Sequence, residues 1–146
     1  MKTKRSLITA MVLVLWMVPG IMNAQNLTGK EIMEKVYYRD EGEDRKGNLT
    51  MTLVNSRGDK RVRELRQFYK DFGDTEKKIM FFLSPADVRN TSFMNWSYDD
   101  ESKDDDQWIY LPALQKVKRI SSDSKDDYFM GSDFTYDDLG ERHPNE

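Results

Sequence analysis

The sequence predicts an α+β fold: one N-terminal amphipathic helix, then a meander of six antiparallel strands whose apolar face curls around that helix. Three observations carry this. Just after residue 27 the apolar side chains recur every three to four positions, which is a helical period. From Asn48 onward the period becomes two, which is a strand period, and turn residues interrupt it at close intervals. No internal repeat or change of composition marks a second domain, so the chain after its leader, residues 25–146, is expected to hold one core.

The leader comes first. Lys2, Lys4 and Arg5 precede an apolar run from Leu7 to Val18, Pro19 and Gly20 break it, and Ala24 offers a small residue before Gln25. This is the pattern of a secretory signal peptide over residues 1–24, and the run is shorter than the roughly 20 residues a spanning helix needs. The chain has no cysteine, so export does not imply a disulfide or a cysteine-linked lipid. The periplasm is the expected compartment.

Thr28 and Glu31 have the spacing of a capping box, with Leu27 set to staple against Ile32. Ile32, Met33, Val36 and Tyr37 share the helix's apolar stripe, and the charged, glycine-punctuated stretch 41–47 ends it. Leu49, Met51 and Leu53 then alternate with Thr50, Thr52 and Val54 in the first strand, and Asn55 to Gly58 make a hairpin turn. The return strand, Lys60 to Lys70, loses its alternation at Phe68 and Tyr69, which calls for a bulge or an edge. Strand three, Lys77 to Leu83, ends in a run apolar on both parities and so is expected to be buried on both faces. After a corner at Ser84 to Val88, the remaining strands are Thr91 to Tyr98, Trp108 to Leu111 and Gln115 to Ile120. A loop with six acids between Asp99 and Asp106 separates the first two of these.

Charge and residue types narrow the chemistry. Without Lys2, Lys4 and Arg5, 20 Lys and Arg face 26 Asp and Glu, a net charge of −6. Lys116, Lys118 and Arg119 beside Trp108 and Tyr110 imitate a nucleic-acid surface, but an exported acidic chain is a poor partner for phosphate backbones, so no nucleic acid is expected. The acids at 99–106 and at Asp133, Asp137 and Asp138 lack the ordered spacing of a calcium loop, so no metal or cofactor is expected. His143 lies in a polar tail, and with no cysteine the usual nucleophilic and zinc sets lose their members. The reading is non-enzymatic.

What stands out is Met and aromatic content at strand positions. Met adapts to irregular apolar shapes, and aromatic side chains line apolar pockets. Met51, Leu53, Phe81, Phe93, Trp96, Trp108 and Tyr110 are the expected cavity wall. Met130 and Phe134 flank Gly131 in a loop placed to act as a lid. An ordinary filled core is the alternative.

The segments Phe82-Leu83-Ser84-Pro85-Ala86-Asp87-Val88, Tyr110-Leu111-Pro112-Ala113-Leu114 and Met130-Gly131-Ser132-Asp133-Phe134 resemble the bacterial outer-membrane lipoprotein-sorting protein family, LolA-like. The resemblance implies a curved antiparallel half-barrel, incomplete here, wrapped over the helix. Its apolar cavity would carry lipoprotein acyl chains or another lipid between an inner-membrane donor and an outer-membrane acceptor protein. Two departures accompany it. Asn90 stands where the family usually has glycine, which leaves the backbone of that corner open. Family members also continue past Asp137-Asp138-Leu139, so the chain resembles the N-terminal part of the domain. The rival reading is an envelope interaction or signalling module of the same fold, whose interior is filled.

Overall fold

The computed structural model describes residues 27–100, 102–142 and 144, so the expected leader, residues 1–24, and His143 lie outside the described residues. The chain divides into two units, residues 1–32 and 33–146. The described part of the first is the capped start of helix α1 (Gly29–Tyr37). Its capping box is formed: the Thr28 N–H donates to Glu31 Oε2 at 2.7 Å, and the Glu31 N–H donates to Thr28 Oγ1 at 3.3 Å. The helix ends at Tyr37, the last residue of its apolar stripe, and none of its residues is buried.

The second unit holds six strands: β1 (Asp44–Val54), β2 (Lys60–Asp71), β3 (Thr75–Ser84), β4 (Ser92–Tyr98), β5 (Asp106–Leu111) and β6 (Lys116–Ile120). They form one antiparallel sheet in chain order, and β1 and β6 each pair on one side only, so the sheet is not closed. This is the α+β antiparallel meander that the period change predicts and the open half-barrel that the resemblance implies.

β1 begins earlier than its apolar alternation does. Asp44, Arg45 and Lys46 belong to the ladder opposite Lys70, Tyr69 and Phe68, because an edge strand lets charged side chains reach water. The hairpin turn is held by Asn55 Oδ1, which accepts the N–H groups of Arg57 at 3.0 Å and Asp59 at 2.9 Å, while Gly58 takes φ 85°. A register shift lies between Glu64 and Leu65 where β2 meets β3, ahead of Phe68 and Tyr69, which both pair regularly. At the β3–β4 corner Asn90 has φ 66°. The corner thus keeps the left-handed backbone that favours glycine, and Asn is the side chain that best tolerates it.

The core lies on one face of the sheet. Leu65, Met80, Phe82 and Phe93 point the same way and bury against Val88 and Phe129, with Met51, Met130, Tyr136 and Leu139 packed around them. The side chains brought over this face come from the segment after β6, where Phe129 is wholly buried. Its ring meets Phe93 edge-on at 5.2 Å and Tyr136 at 5.6 Å. Each buried Phe contributes about 1.5–3 kcal/mol, so this short aromatic stack helps fasten a segment whose described residues form three single-turn 3-10 helices and a β-bridge between Tyr128 and Thr135.

Candidate functional site

Strand parity divides the sheet into two unlike faces. The core face carries Leu65, Met80, Phe82, Phe93 and Ile109. The opposite face can be read as rows across the ladder: Lys46, Phe68, Ile79, Met94, Trp108 and Arg119 stand opposite one another from β1 to β6. The next row holds Asn48, Arg66, Phe81, Ser92, Tyr110 and Val117. On the other side of the first row lie Lys70, Lys77 and Trp96.

This second face is apolar and open. Phe68, Phe81 and Leu83 are about 40% exposed and Val117 66%. Phe68 and Phe81 meet edge-on at 6.1 Å, and Trp96 and Trp108 at 5.1 Å. The Trp96 indole N–H is buried without a hydrogen-bond partner. Large contiguous apolar surfaces of this kind mark interaction sites.

The expected wall residues do not share one face. Phe81, Trp96, Trp108 and Tyr110 lie on the open face, whereas Met51, Leu53 and Phe93 lie on the core face, Phe93 with no exposure at all. Burial of β3 on both faces also fails, because Phe81 and Leu83 are exposed while Met80 and Phe82 are buried. Composition alone could not separate the two sets, since both are Met and aromatic. The residues missed, Phe68 and Ile79 above all, become visible only when the six strands are aligned in register.

The glycine loop is anchored by its neighbours. Gly131 has φ 71° and Met130 φ 51°, two consecutive left-handed residues. Met130 packs on the core, Phe134 is exposed, and Arg63 Nη1 donates to the Met130 carbonyl at 2.6 Å.

A second feature lies at the other end of the core face. A cleft of about 620 Å³ is lined by Tyr37, Glu41, Tyr69, Glu76 and Glu141 among others. Burial, then Glu76, pushes the Glu141 carboxyl up; burial pushes the Lys78 ammonium down, opposed by Glu141. The Tyr37 hydroxyl is pushed up to about 12 by burial and then by Glu141. Lys78 Nζ donates to the Leu139 carbonyl at 2.8 Å, and Asp105 Oδ2 accepts from Asn95 Nδ2, Ser97 Oγ and the Glu141 N–H at 2.9–3.0 Å. These bonds tie the segment after β6 to the sheet, and the groups that make them are spent on that structural task.

Comparison with known proteins adds the following. A family described only as an uncharacterized protein matches residues 74–146, half of the chain. A crystallised outer membrane lipoprotein-sorting protein domain from Vibrio parahaemolyticus is 41% identical, with a TM-score of 0.69. The match covers 80% of this chain and 49% of that one. A DUF1329 family protein from Desulfovibrio piger is 35% identical with a TM-score of 0.67, covering 77% of this chain and 46% of that one. This chain therefore spans about half the length of both solved relatives. No curated protein matches it.

Proposed function

Because this chain belongs to the outer-membrane lipoprotein-sorting protein family, we propose that it acts in the periplasm as a carrier for lipoprotein acyl chains or another lipid. The open face of the sheet is its contact surface. The observation that carries this is the continuous row Phe68, Ile79, Met94 and Trp108, flanked by Phe81, Trp96 and Tyr110, with Phe68 and Phe81 exposed and the others half-buried on a folded sheet. Hiding a methylene from water is worth about 0.8 kcal/mol, so each methylene that this surface covers offsets part of the cost of an acyl chain's leaving a membrane. One relative's name supports the class: it is a lipoprotein-sorting domain. Among the described residues no helix is long and apolar enough to cross a membrane.

On this reading the protein binds and releases without chemistry, and a donor and an acceptor protein in the two membranes complete the transfer. Met51, Leu53 and Phe93 support the wall from behind. Met130, Gly131 and Phe134 belong to the segment packed over the core face, opposite this surface, so on this reading they do not serve it as a lid.

One observation favours a second reading. The space between the sheet and the segment after β6 is filled by Phe82, Phe93 and Phe129, as in an interaction module, and the open face would then hold a partner protein. Native mass spectrometry of protein gently purified from the periplasm separates the two. Co-purified acyl ligand supports the carrier; folded protein with no ligand, and none taken up from added lipid, overturns it in favour of the module.

A further inference from the structure

We propose that the open face is built for an anionic phospholipid, with the phosphate among Lys46, Arg66, Lys70 and Lys77 and the acyl chains across Ile79, Met94 and Trp108. The inference rests on the carrier reading and names the ligand class.

The chain is net acidic, −3 over its whole sequence, yet this part of the face is basic. Lys46 stands opposite Phe68, Arg66 and Lys70 flank Phe68 on the same side of β2, and Lys70 stands opposite Lys77. None of the four cations makes an ion pair among the described residues. The acids on the same face are few. Asp44 is opposite Lys70, Glu64 accepts from Thr50, and Asp106 is taken by Arg119.

Like charges directly opposite in an antiparallel pair repel. The Lys70 and Lys77 ammonium groups are held by rings: both lie over Phe72, at 5.7 and 4.9 Å, and Lys77 also lies 3.7 Å from the Trp96 centroid. An anion beside them would relieve the repulsion. Next to them a groove of about 450 Å³ is lined by Lys46, Gly47, Asn48, Arg66 and Phe68. There Arg66 Nε donates to Asn48 Oδ1 at 3.2 Å, which leaves the terminal guanidinium N–H groups for a phosphate. From Phe68 the apolar row crosses three strand spacings to Trp108, roughly 14 Å. Free phosphate would leave this row unused and a neutral glyceride would leave the cations unused, whereas an anionic lipid engages both.

The test measures binding of dioctanoyl phosphatidylglycerol, dioctanoyl phosphatidylcholine and inorganic phosphate to the exported chain, by calorimetry and tryptophan emission. Phosphatidylglycerol is expected to bind at least about tenfold more tightly than phosphatidylcholine. Lys46→Gln/Arg66→Gln/Lys70→Gln/Lys77→Gln should erase that preference, with circular dichroism confirming the fold, and a preference that survives in the folded variant overturns the assignment. Lys70→Gln/Lys77→Gln should reduce it, and Lys70→Arg/Lys77→Arg should restore it. Equal affinity of the wild type for the two lipids overturns the head-group assignment while the carrier reading stands. Inorganic phosphate binding as tightly as phosphatidylglycerol also overturns it. Binding of neither lipid by folded protein overturns both.

Discussion

The Lys77 ammonium stands 3.7 Å from the centroid of the Trp96 ring, on the open face of the sheet and opposite it in the β3–β4 register. The pair couples a cation to the aromatic surface at the point where the basic and apolar parts of that face meet. Lys77→Met keeps the stem and removes the charge. Loss of the cation–ring contact and relief of the repulsion from Lys70 act in opposite directions on stability, so the readout is Trp96 emission, which is expected to change; unchanged emission would mean that the cation does not rest on the ring in solution.

Phe81 and Phe93 test the division between faces. Phe93→Ala opens the core beside Phe129 and should cost about 3–5 kcal/mol in stability. Phe81→Asp places a charge on the open face, so the fold should persist while acyl ligand binding falls at least about tenfold. Thermal unfolding together with lipid binding gives both readouts, and loss of fold in Phe81→Asp would count against an uncovered face.

Arg63 is buried and donates to the Met130 carbonyl. Arg63→Met leaves that carbonyl without its partner, a loss of about 1.5–3 kcal/mol for a charged hydrogen bond. Hydrogen exchange should then quicken for the amides of residues 129–134 before the amides of β2 and β3 respond.

The Asp106 carboxyl is held below its ordinary 3.8 by the hydrogen bond from Arg119, with Tyr98 adding to it against some burial. A depressed carboxyl contributes stability that is full above its unfolded value and is lost as pH falls through its folded value. Acid unfolding followed below pH 4 should therefore be less pH-dependent in Asp106→Asn than in the wild type, with the two proteins closest at the lowest pH.

Much of this was legible in the sequence. The capping box at Thr28 and Glu31 was written in residue spacing alone, and so was the change to a six-stranded meander, because local hydrogen bonds and side-chain period determine both. Which side of the sheet a residue occupies was not. Met80, Phe81 and Phe82 are all large and apolar; alternation turns the middle one away from the other two, but only the ladder to β2 and β4 shows which side is the core. The start of β1 was hidden for a related reason: Asp44 to Lys46 have no strand-like side chains and are placed by the backbone of β2. The identity of what covers the core face came from residues 129–139, a stretch with neither helical nor strand period.

The two unpaired margins of the sheet bear on how copies of the protein behave together in concentrated solution. β1 presents Lys46 at one margin, and β6 presents Lys116 and Lys118 at the other. When two copies approach margin to margin, positive charge meets positive charge before any backbone N–H reaches a carbonyl, so colloidal repulsion keeps the sheets from extending one another. That barrier acts over about 10 Å at 0.1 M salt and shrinks to about 3 Å at 1 M. The protein should accordingly stay dispersed in dilute buffer and become prone to self-association in brine, although its folded stability need not change.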